Sequence, residues 1–561
     1  MHKLHEGVEG SIDPLGMAAP IVHAQLAWLV HPQELAEWIS HLSSDLWKLY
    51  IHSLARLTGR ESEDPILPHP DDVRFADAVW TDSASWDLIK EWYLAFTHNM
   101  QDMLYDTPGL SGKERRKAAF WWRKWLNAMA PTNFLPTNPV ALRKAAESRG
   151  ESLFVGYQNF LEDLRAGTIR MTPLDDFKVG SNLATTPGAV VFRNRLVEVI
   201  HYIPTQPKVH AEPVVIVTPW INKFYILDLN EKKSMVRFLL DQGLDVFITS
   251  WKNPDESMRN TTFDDYLVDG IQTIIDVARN FTGSPKVHAV GYCIGGTALT
   301  MYMAWANRHF KPADVPVADF TLFTTLIDFS KPGDIEIFID PSTIRYLDDN
   351  MARKGYFDGK EMAASFRLLR SNSLIWTYVV HGWLYGESLA PFDVLYWNMD
   401  CTRLPYAMHM WYLNELYLHN RLIHHDALTV AGEPLDLSCI TQPLYAVSAE
   451  DDHIAPWAQT FRVNNFVNGP KRYVLSSSGH IFGIVNPVVN PPKRRFWASE
   501  PRRSDTAENW RASAVEQRGS WWPDWMEWLK PRAGNLVEAR PAANEQYPQL
   551  SPAPGIYVVE P

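Results

Sequence analysis

The chain has 561 residues, of which 46% are hydrophobic and 21% are charged, and its formal net charge at pH 7 is −12. A prior of about 150 residues per domain predicts roughly two to four domains. The acidic balance argues against a nucleic-acid groove, which requires a basic surface. Three cysteines in so long a chain indicate a reducing compartment and no disulfide framework.

The N-terminal part of the chain is predicted to be helical. From Ile21 to Leu54 the apolar residues recur at helical spacing with a break expected at Pro32, and Trp86 to Leu104 shows the same period. The tryptophans from Trp121 to Trp125 lie among basic residues, so they either meet a membrane-like or granule surface or, as the stronger interpretation, pack against a neighbouring domain. We predict a helical accessory domain over residues 1–175. The N-terminus shows no apolar targeting segment, so a cytoplasmic protein is expected.

Short strands begin after about Phe177. Strands that alternate with helices predict a parallel sheet covered on both faces. The predicted elements are a hairpin of Ala189 to Phe192 and Leu196 to Tyr202, strands Val214 to Val217 and Val246 to Trp251, and a helix Glu231 to Gln242.

The most informative stretch is Lys286 to Thr300, KVHAVGYCIGGTALT. A β-prone run leads into Gly-Tyr-Cys-Ile-Gly, and a helical pattern follows, so Cys293 stands where α/β-hydrolases carry the serine of the G-x-S-x-G nucleophile elbow. The N–H of Ile294 would be one oxyanion donor, and the helix N-terminus favours a thiolate. The alternative is a tight turn with a buried thiol; the flanking strand and helix favour the catalytic interpretation. Because glycines interrupt the apolar run from Val287 to Ala306, no transmembrane segment is expected.

After the elbow, Val317 to Ile327 is a further predicted strand, and then the α/β alternation stops. Residues 329–430 are helical in pattern and rich in large aromatic side chains, at the place where α/β-hydrolases carry an inserted cap. We therefore predict an α/β-hydrolase fold with a mostly parallel sheet. Its catalytic core comprises residues 176–328 and 431–530, and the loop 218–223 is expected to supply a second oxyanion donor. The Pro- and Ala-rich tail, residues 531–561, is expected to be poorly ordered except for Gly555 to Val559.

The acid and the base are expected on two later loops. A strand Pro443 to Ser448 leads to Asp451 and Asp452, and a strand Arg472 to Leu475 leads to His480. Nucleophile, acid and histidine in this chain order, each after a strand, are typical of the fold.

Each of these residues has a structural alternative. His480 is one of nineteen histidines, and the aspartates could cap a turn before Pro456. Cys401 and Cys439 lack glycine neighbours and a following helix start, so we interpret them as inert buried thiols. The spacing of the cysteines does not suggest a zinc site, and no metal or cofactor is expected.

Eight segments, in order along the chain, resemble the motifs of the polyhydroxyalkanoate synthases, the PhaC-type bacterial polyester polymerases. The resemblance covers about residues 75–530. The segments are MAPTNFLPTNP (129–139), NLATTPGAVVFRN (182–194), TPWINKFYILDL (218–229), TSWKNP (249–254), HAVGYCIGGT (288–297), FDVLYWNMDCTRLP (392–405), EDDHIAPW (450–457) and SSGHIFGIVNP (477–487).

The resemblance implies the role of each site residue. Cys293 takes the place of the family's nucleophile, His480 that of its general base and Asp452 that of its aspartate, with Asp451 a lesser candidate. Asp452 would either orient His480 or assist the substrate hydroxyl, and the sequence does not separate these two roles. The isoleucine after the cysteine and the long N-terminal domain are similar to the class I enzymes, which act on short acyl chains and need no second type of subunit.

The implied activity is polymerisation of (R)-3-hydroxyacyl-CoA, with 3-hydroxybutyryl-CoA as the expected monomer, through an acyl-cysteine with release of CoA. A free cysteine is only a few per cent thiolate at pH 7, so it requires a base and a positive environment. The implied partners are the growing polyester chain, the polymer granule surface and a second copy of the chain in a homodimer. Polymerisation also requires that water be kept away, which the aromatic cap would do.

The sequence is also compatible with two other functions. One is a cysteine-nucleophile thioesterase or polyester hydrolase with the same three residues, whose product would be a free hydroxy acid. The other is a non-enzymatic granule-surface or scaffold protein, whose working parts would be the tryptophans near Trp121 and from Trp521 to Trp528. An acyl group trapped on Cys293 would exclude the scaffold.

Overall fold

The computed structural model describes residue 13, residues 17–69 and residues 72–561. These residues fall into two compact units. The helical unit contains the described residues up to Pro173 together with Ala364–Pro391, and the sheet unit contains Leu174–Ala363 and Phe392–Pro561. Residues 329–430, predicted as one cap, are thus divided between the two units.

The helical unit is built from helices whose ends follow local sequence signals. The break expected at Pro32 is confirmed, since one helix ends at Val30 and the next begins at Pro32, where proline lacks the N–H that a helix interior needs. Ser111 begins another helix with a capping box, in which its hydroxyl accepts from the Glu114 N–H and the Glu114 carboxylate accepts from the Ser111 N–H. The helices are Ala19–Val30, Pro32–Leu57, Val79–Asp82, Ala84–Tyr105, Gly112–Ala128, Pro139–Glu147 and Glu151–Ala166, with Thr377–Val379 flanked by the π-helical turns Asn372–Trp376 and Val380–Leu384.

One sheet of eleven strands, counted over the described residues, forms the centre of the sheet unit. The strands are β1 Gly188–Arg193, β2 Val197–Tyr202, β3 Val214–Val217, β4 Val246–Trp251, β5 Val287–Tyr292, β6 Val317–Phe323, β7 Leu444–Ala449, β8 Lys471–Ser476, β9 Arg495–Ser499, β10 Val515–Arg518 and β11 Ser551–Pro552. Their spatial order is β10-β9-β8-β7-β6-β5-β3-β4-β2-β1-β11. The strands from β8 to β4 in that order pair in parallel, and those beyond pair antiparallel. The predicted mostly parallel sheet of an α/β-hydrolase is confirmed.

The central strands are apolar on both faces. In β3, Val215 and Val217 join one buried cluster, whereas Val214 and Ile216 join the other. A strand buried on both faces shows a continuous apolar run instead of alternation, which is why this run of four residues predicts the strand correctly.

Helices pack against this sheet. The longest, Ile294–His309, follows β5 directly and is buried along most of its length. The helices of the unit are Met235–Asp241, Phe263–Asp265, Thr273–Thr282, Ile294–His309, Pro341–Lys354, Asp393–Met399, Tyr406–Trp411, Trp457–Thr460, Val463–Phe466, Ala507–Ser513 and Trp522–Leu529, with π-helical turns Tyr266–Gln272 and Tyr412–Leu418, while Gly359–Leu369 crosses the boundary of the two units.

The tryptophans from Trp521 to Trp528 belong mainly to the core. Trp521, Trp522 and Trp525 are at most 2% exposed, and Trp525 donates its indole N–H to Thr321 at 3.0 Å. The hypothesis that this segment is a granule-binding surface is therefore wrong. In the helical unit Trp121 is also buried, but Trp125 is 50% exposed, so packing accounts for only part of that tryptophan cluster.

The prediction of a poorly ordered tail after residue 530 is also wrong. Leu536–Glu538 pairs antiparallel with Lys208–His210, and β11 extends the edge of the main sheet. Arg540 binds the buried carboxylate of Asp245 at 2.7 Å. Because these partners lie about three hundred residues away in sequence, local composition gives no sign of them.

No helix in the described part of the chain is both long enough and apolar enough to span a bilayer.

Candidate active site

Cys293 occupies the corner between β5 and the helix that begins at Ile294. Its backbone angles are φ +52° and ψ −123°, a combination that a residue with a side chain adopts only under strain. The Cys293 N–H donates to the Phe323 carbonyl at 2.9 Å, which fixes the corner to the neighbouring strand β6. The sequence prediction of an elbow at this cysteine agrees with this geometry.

Three glycines allow this corner to form. A β-carbon on Gly291 would lie 2.5 Å from the Gly296 α-carbon, and one on Gly295 would lie 2.5 Å from the Val217 carbonyl oxygen. A β-carbon on Gly296 would lie 1.9 Å from the Thr325 hydroxyl. Close approach between the elbow and its neighbours, rather than backbone freedom alone, requires glycine at all three positions.

Asp452 and His480 form a buried pair on the loops after β7 and β8. His480 Nδ1 lies 2.6 Å from Asp452 Oδ2, and the two side chains are 11% and 0% exposed. Asp452 Oδ1 accepts the N–H groups of Ile454 and Ala455, each at 2.9 Å. Asp452 is therefore both the turn cap and the partner of the histidine, so the two interpretations of this residue do not compete.

His480 faces Cys293 as well as Asp452. Burial lowers the pKa of His480, but the charges of Asp452 and Cys293, together with hydrogen bonding to both, raise this pKa well above its usual value. With the Nδ1 proton directed at Asp452, Nε2 is the nitrogen that can act on the thiol. The Tyr292 ring stacks on the imidazole with centroids 5.7 Å apart and an interplanar angle of 25°, and its hydroxyl donates to the His480 carbonyl at 3.3 Å. The structure thus brings Cys293, His480 and Asp452 together.

Residues 218–223, the loop after β3, are called the oxyanion loop here because they are expected to supply the second oxyanion donor. Only a few of their backbone N–H groups can take this role. The Thr218 N–H donates to the Thr249 hydroxyl at 3.0 Å, and Pro219 has no N–H. The Thr402 hydroxyl lies 2.8 Å from the Trp220 carbonyl oxygen and 2.5 Å from that of Ile221, which holds this part of the loop in place. The N–H groups of Trp220 and Ile221 are therefore the best candidates to act with the N–H of Ile294.

Aromatic residues of the predicted cap segment, residues 329–430, lie close to the thiol. Tyr412 and Tyr417 have ring centroids 5.2 Å apart, and Phe329 packs on Tyr417 at 4.8 Å. Burial raises the pKa of both tyrosines, and the charge of Cys293 adds to this effect. Tyr412 begins a π-helical turn, a feature that is frequent at functional sites. This irregularity breaks helical periodicity and is not visible in the sequence pattern.

Asp451, Cys401 and Cys439, the other residues considered from the sequence, lie outside this three-residue arrangement. Asp451 is exposed and hydrogen-bonded through its N–H to Ser478. Cys401 and Cys439 are half-buried rather than fully buried, and their thiols contact Met399 and Asp436.

One group of potential metal ligands occurs among the described residues, in the helical unit. It consists of His52, Asp64 and Asp87. The Lys90 ammonium lies 2.8 Å from Asp64 and 3.2 Å from Asp87, so a cationic side chain already compensates these carboxylates.

Comparisons with known proteins cover almost the whole chain. Residues 71–239 match the family model described as the N-terminus of poly-beta-hydroxybutyrate polymerase (PhaC), and residues 213–487 match that of the alpha/beta hydrolase fold. The poly(3-hydroxyalkanoate) polymerase of Methylorubrum extorquens is 39% identical, over 98% of this chain and 91% of the relative. The polymerase subunit PhaC of Cupriavidus necator is 37% identical over 99% and 93%, and polymerase 2 of Ectopseudomonas oleovorans is 36% identical over 95% and 92%. The chain belongs to the PhaC family of poly(3-hydroxyalkanoate) polymerases.

Proposed function

We propose that this enzyme polymerises (R)-3-hydroxyacyl-CoA, with 3-hydroxybutyryl-CoA as the preferred monomer, through an acyl group carried on Cys293. The observation that carries the mechanism is the alignment of Cys293, His480 and Asp452 at the ends of three strands. Family membership supports the reaction, and the geometry supports the roles proposed for the three side chains.

In the first step His480 takes the proton of the Cys293 thiol, and the thiolate attacks the thioester carbonyl. The carbonyl oxygen becomes an oxyanion that the N–H of Ile294 and one N–H of the oxyanion loop stabilise. The bond to the CoA sulfur then breaks, and the CoA thiolate takes the proton from His480. The exchange of one thioester for another is nearly balanced in energy, so the acyl group remains activated.

In the second step the 3-hydroxyl group of the next unit attacks the acyl-cysteine. His480 removes the hydroxyl proton, an ester bond forms, and the bond between the carbonyl carbon and the Cys293 sulfur breaks. The Cys293 thiolate then takes this proton from His480, which restores both groups. Asp452 holds the imidazole in the tautomer with the proton on Nδ1 and stabilises the imidazolium form. The apolar wall of Phe329, Tyr412 and Tyr417 supports the transfer to an alcohol because it reduces the access of water.

The experiment follows CoA release and products from (R)-3-hydroxybutyryl-CoA. The wild-type enzyme should release CoA and form an ester polymer, and Cys293→Ala should release none. Cys439→Ala is the matched control, because its thiol lies outside the three-residue arrangement. Free hydroxy acid as the main product would instead identify a hydrolase, and turnover by Cys293→Ala would exclude this nucleophile.

The cellular setting is part of the same proposal: a cytoplasmic homodimer that binds the polymer granule surface. The helix Pro32–Leu57 supports contact with an apolar surface, since Trp47 is 63% exposed and Tyr50, Ile51 and Ile39 are nearly half exposed. Trp47→Glu should move the protein from the granule fraction to the supernatant. Sedimentation of wild type and variant without polymer would show whether this helix instead joins two copies of the chain.

A further inference from the structure

A cavity of about 140 Å³ lies in the sheet unit beside the loop that carries His480. Phe482, Asn486, Lys493 and Arg494 contribute to its wall from the segment between β8 and β9, and Lys233 contributes from the segment after β3. The described residues that line it include no acidic side chain. We refer to it as the cationic cavity.

Two of its three cationic side chains have no carboxylate partner among the described residues. Lys233 is compensated, since its ammonium lies 2.6 Å and 2.8 Å from the two carboxylate oxygens of Asp393. Lys493 is exposed and Arg494 is half-buried, and neither forms an ion pair with any carboxylate that the structure describes. Burial lowers the pKa of Arg494, but a guanidinium keeps its charge in proteins. The cavity thus concentrates positive charge in a chain whose net charge is −12.

Asn486 adds an unused hydrogen-bond donor to this wall. The residue is 3% exposed, and its side-chain nitrogen has no hydrogen-bond partner within the described structure. Its backbone is fixed, because its carbonyl accepts from the Ser520 hydroxyl, and the neighbouring Gly519 N–H donates to the Arg494 carbonyl at 2.7 Å. Buried donors of this kind are usually satisfied, and an oxygen-rich ligand would satisfy this one.

Two stacked aromatic rings set the positions of the cations. Phe392 and Phe482 lie nearly parallel, with centroids 6.2 Å apart. The Arg494 guanidinium lies 5.4 Å from the Phe482 centroid, and the Lys233 ammonium lies 5.4 Å from the Phe392 centroid. Cations held over aromatic faces are oriented without a counter-charge, so the Arg494 donors remain available to an anion.

The size of the cavity limits what it can hold. One water occupies about 30 Å³ of the liquid, and sites that enclose a whole small molecule usually measure about 300–1,000 Å³. A cavity of about 140 Å³ therefore fits a single group the size of a phosphate, and the rest of a larger ligand must lie outside it. Phe482 follows His480 by two positions, which places the cavity next to the catalytic loop at the carboxyl ends of the strands, where ligands of such sheets bind.

We propose that the cationic cavity binds a phosphate group from the nucleotide part of the CoA thioester, an inference that rests on the proposed function. Arginine and lysine are the usual partners of phosphate, through charge-assisted hydrogen bonds. Binding here would anchor the nucleotide while the acyl end reaches Cys293. The same chemistry would also accept free phosphate, so the test separates the two sources.

The test compares two thioesters of (R)-3-hydroxybutyrate, one with CoA and one with pantetheine, which lacks the nucleotide phosphates. Lys493→Gln, Arg494→Gln and the double variant should each raise KM for the CoA thioester, by about tenfold or more in the double variant. KM for the pantetheine thioester should stay unchanged. Arg495→Gln is the matched control, because Arg495 is the next residue, is 52% exposed and does not line the cavity.

Equal effects on both thioesters, or none on either, would overturn the proposal. Lys493→Gln alone decides the question if Arg494→Gln fails to fold, since Lys493 is exposed. Adenosine 3′,5′-bisphosphate should compete with the CoA thioester for wild type and bind the double variant more weakly by about tenfold. Inorganic phosphate that binds the cavity without raising the apparent KM for the CoA thioester would show a separate anion site and refute the CoA assignment.

The same measurements separate this proposal from the proposed function. Failure of wild type to turn over either thioester would contradict the proposed function. Even then, direct binding of adenosine 3′,5′-bisphosphate can be measured for wild type and for the double variant. Binding to wild type that is lost in the double variant would support the cavity as a phosphate site, and equal binding to both would contradict it.

Discussion

Asp452 presents one carboxylate oxygen to His480 and holds the other against its own loop. Oδ2 lies 2.6 Å from the imidazole Nδ1, while Oδ1 accepts two backbone N–H groups. A carboxylate fixed by the backbone on one side cannot turn away from the histidine, so the orientation of the imidazole toward Cys293 depends on a loop rather than on a single contact.

Replacement of Asp452 by Asn should lower the rate of CoA release by a factor on the order of 10²–10⁴, the usual contribution of an oriented general base. The amide allows the wrong histidine tautomer and removes the charge that stabilises the imidazolium. Asp451→Asn is the matched control, because this neighbouring carboxylate is exposed. A larger loss in Asp451→Asn than in Asp452→Asn would reverse the assignment of the acid.

The same pair predicts a pH dependence of stability. The pKa of His480 is raised in the folded protein, so its interaction with Asp452 contributes stability that is fully present below the unfolded pKa of about 6.5. This contribution is lost as the pH rises through the folded-state pKa.

The effect of Asp452→Asn on stability is measured in a Cys293→Ala background, which removes coupling to the thiol. The loss of Tm that Asp452→Asn causes in that background should be largest near pH 5–6 and shrink at alkaline pH. A loss independent of pH would contradict the raised pKa.

Gly296→Ala should destabilise the protein and disable the elbow. The added methyl group would lie 1.9 Å from the Thr325 hydroxyl, an overlap expected to cost about 1–3 kcal/mol or more, and displacement of the elbow by about 1 Å can lower the rate about 100-fold. Thr325→Gly in the same chain should recover part of both losses. Gly382→Ala is the control, since no atom from another described segment lies within 4 Å of its added methyl group. Thermal melts and CoA release measure the two effects.

The fold and the three candidate site residues that the structure brings together could be predicted because their signals are local. The apolar run from Val214 to Val217, the glycines around Cys293 and the loops that end in Asp452 and His480 each lie within a few residues of the strands that position them. The three loops were expected to meet, because each follows a strand of the sheet and parallel strands bring their carboxyl ends to one edge.

The features that the sequence did not reveal depend on distant partners. Arg540 appears in a Pro- and Ala-rich tail, and nothing near it indicates the buried carboxylate of Asp245. Lys493 and Arg494 follow two prolines and resemble an ordinary solvated turn, yet they line a cavity with Lys233, far away in sequence. Such pairings are set by tertiary packing, which local periodicity and composition do not encode.

Arg540→Met should show that the tail is part of the folded sheet unit. Asp245 is fully buried between Arg540 and His201, with contacts of 2.7 Å and 2.6 Å. Loss of the arginine leaves a buried carboxylate partly uncompensated, a change that typically costs about 3–5 kcal/mol. Lys208→Met is the control on the neighbouring ladder, because its ion pair with Glu538 is exposed and should contribute only about 0–1 kcal/mol. Similar Tm values for the two variants would mean that the tail adds little stability.

Thr402→Val tests the assignment of the oxyanion loop, whose backbone N–H donors are retained in every substitution except one to proline. The Thr402 hydroxyl contacts the carbonyl oxygens of Trp220 and Ile221, and valine has the same shape without the hydrogen bond. If those residues supply the second N–H, the loop should loosen, and kcat should fall by up to about 100-fold, while KM changes little because the donor acts mainly in the transition state. Thr205→Val is the control, since its hydroxyl binds Asp241 at the surface. A rise in KM with unchanged kcat would place this loop in substrate binding and leave Ile294 as the one assigned oxyanion donor.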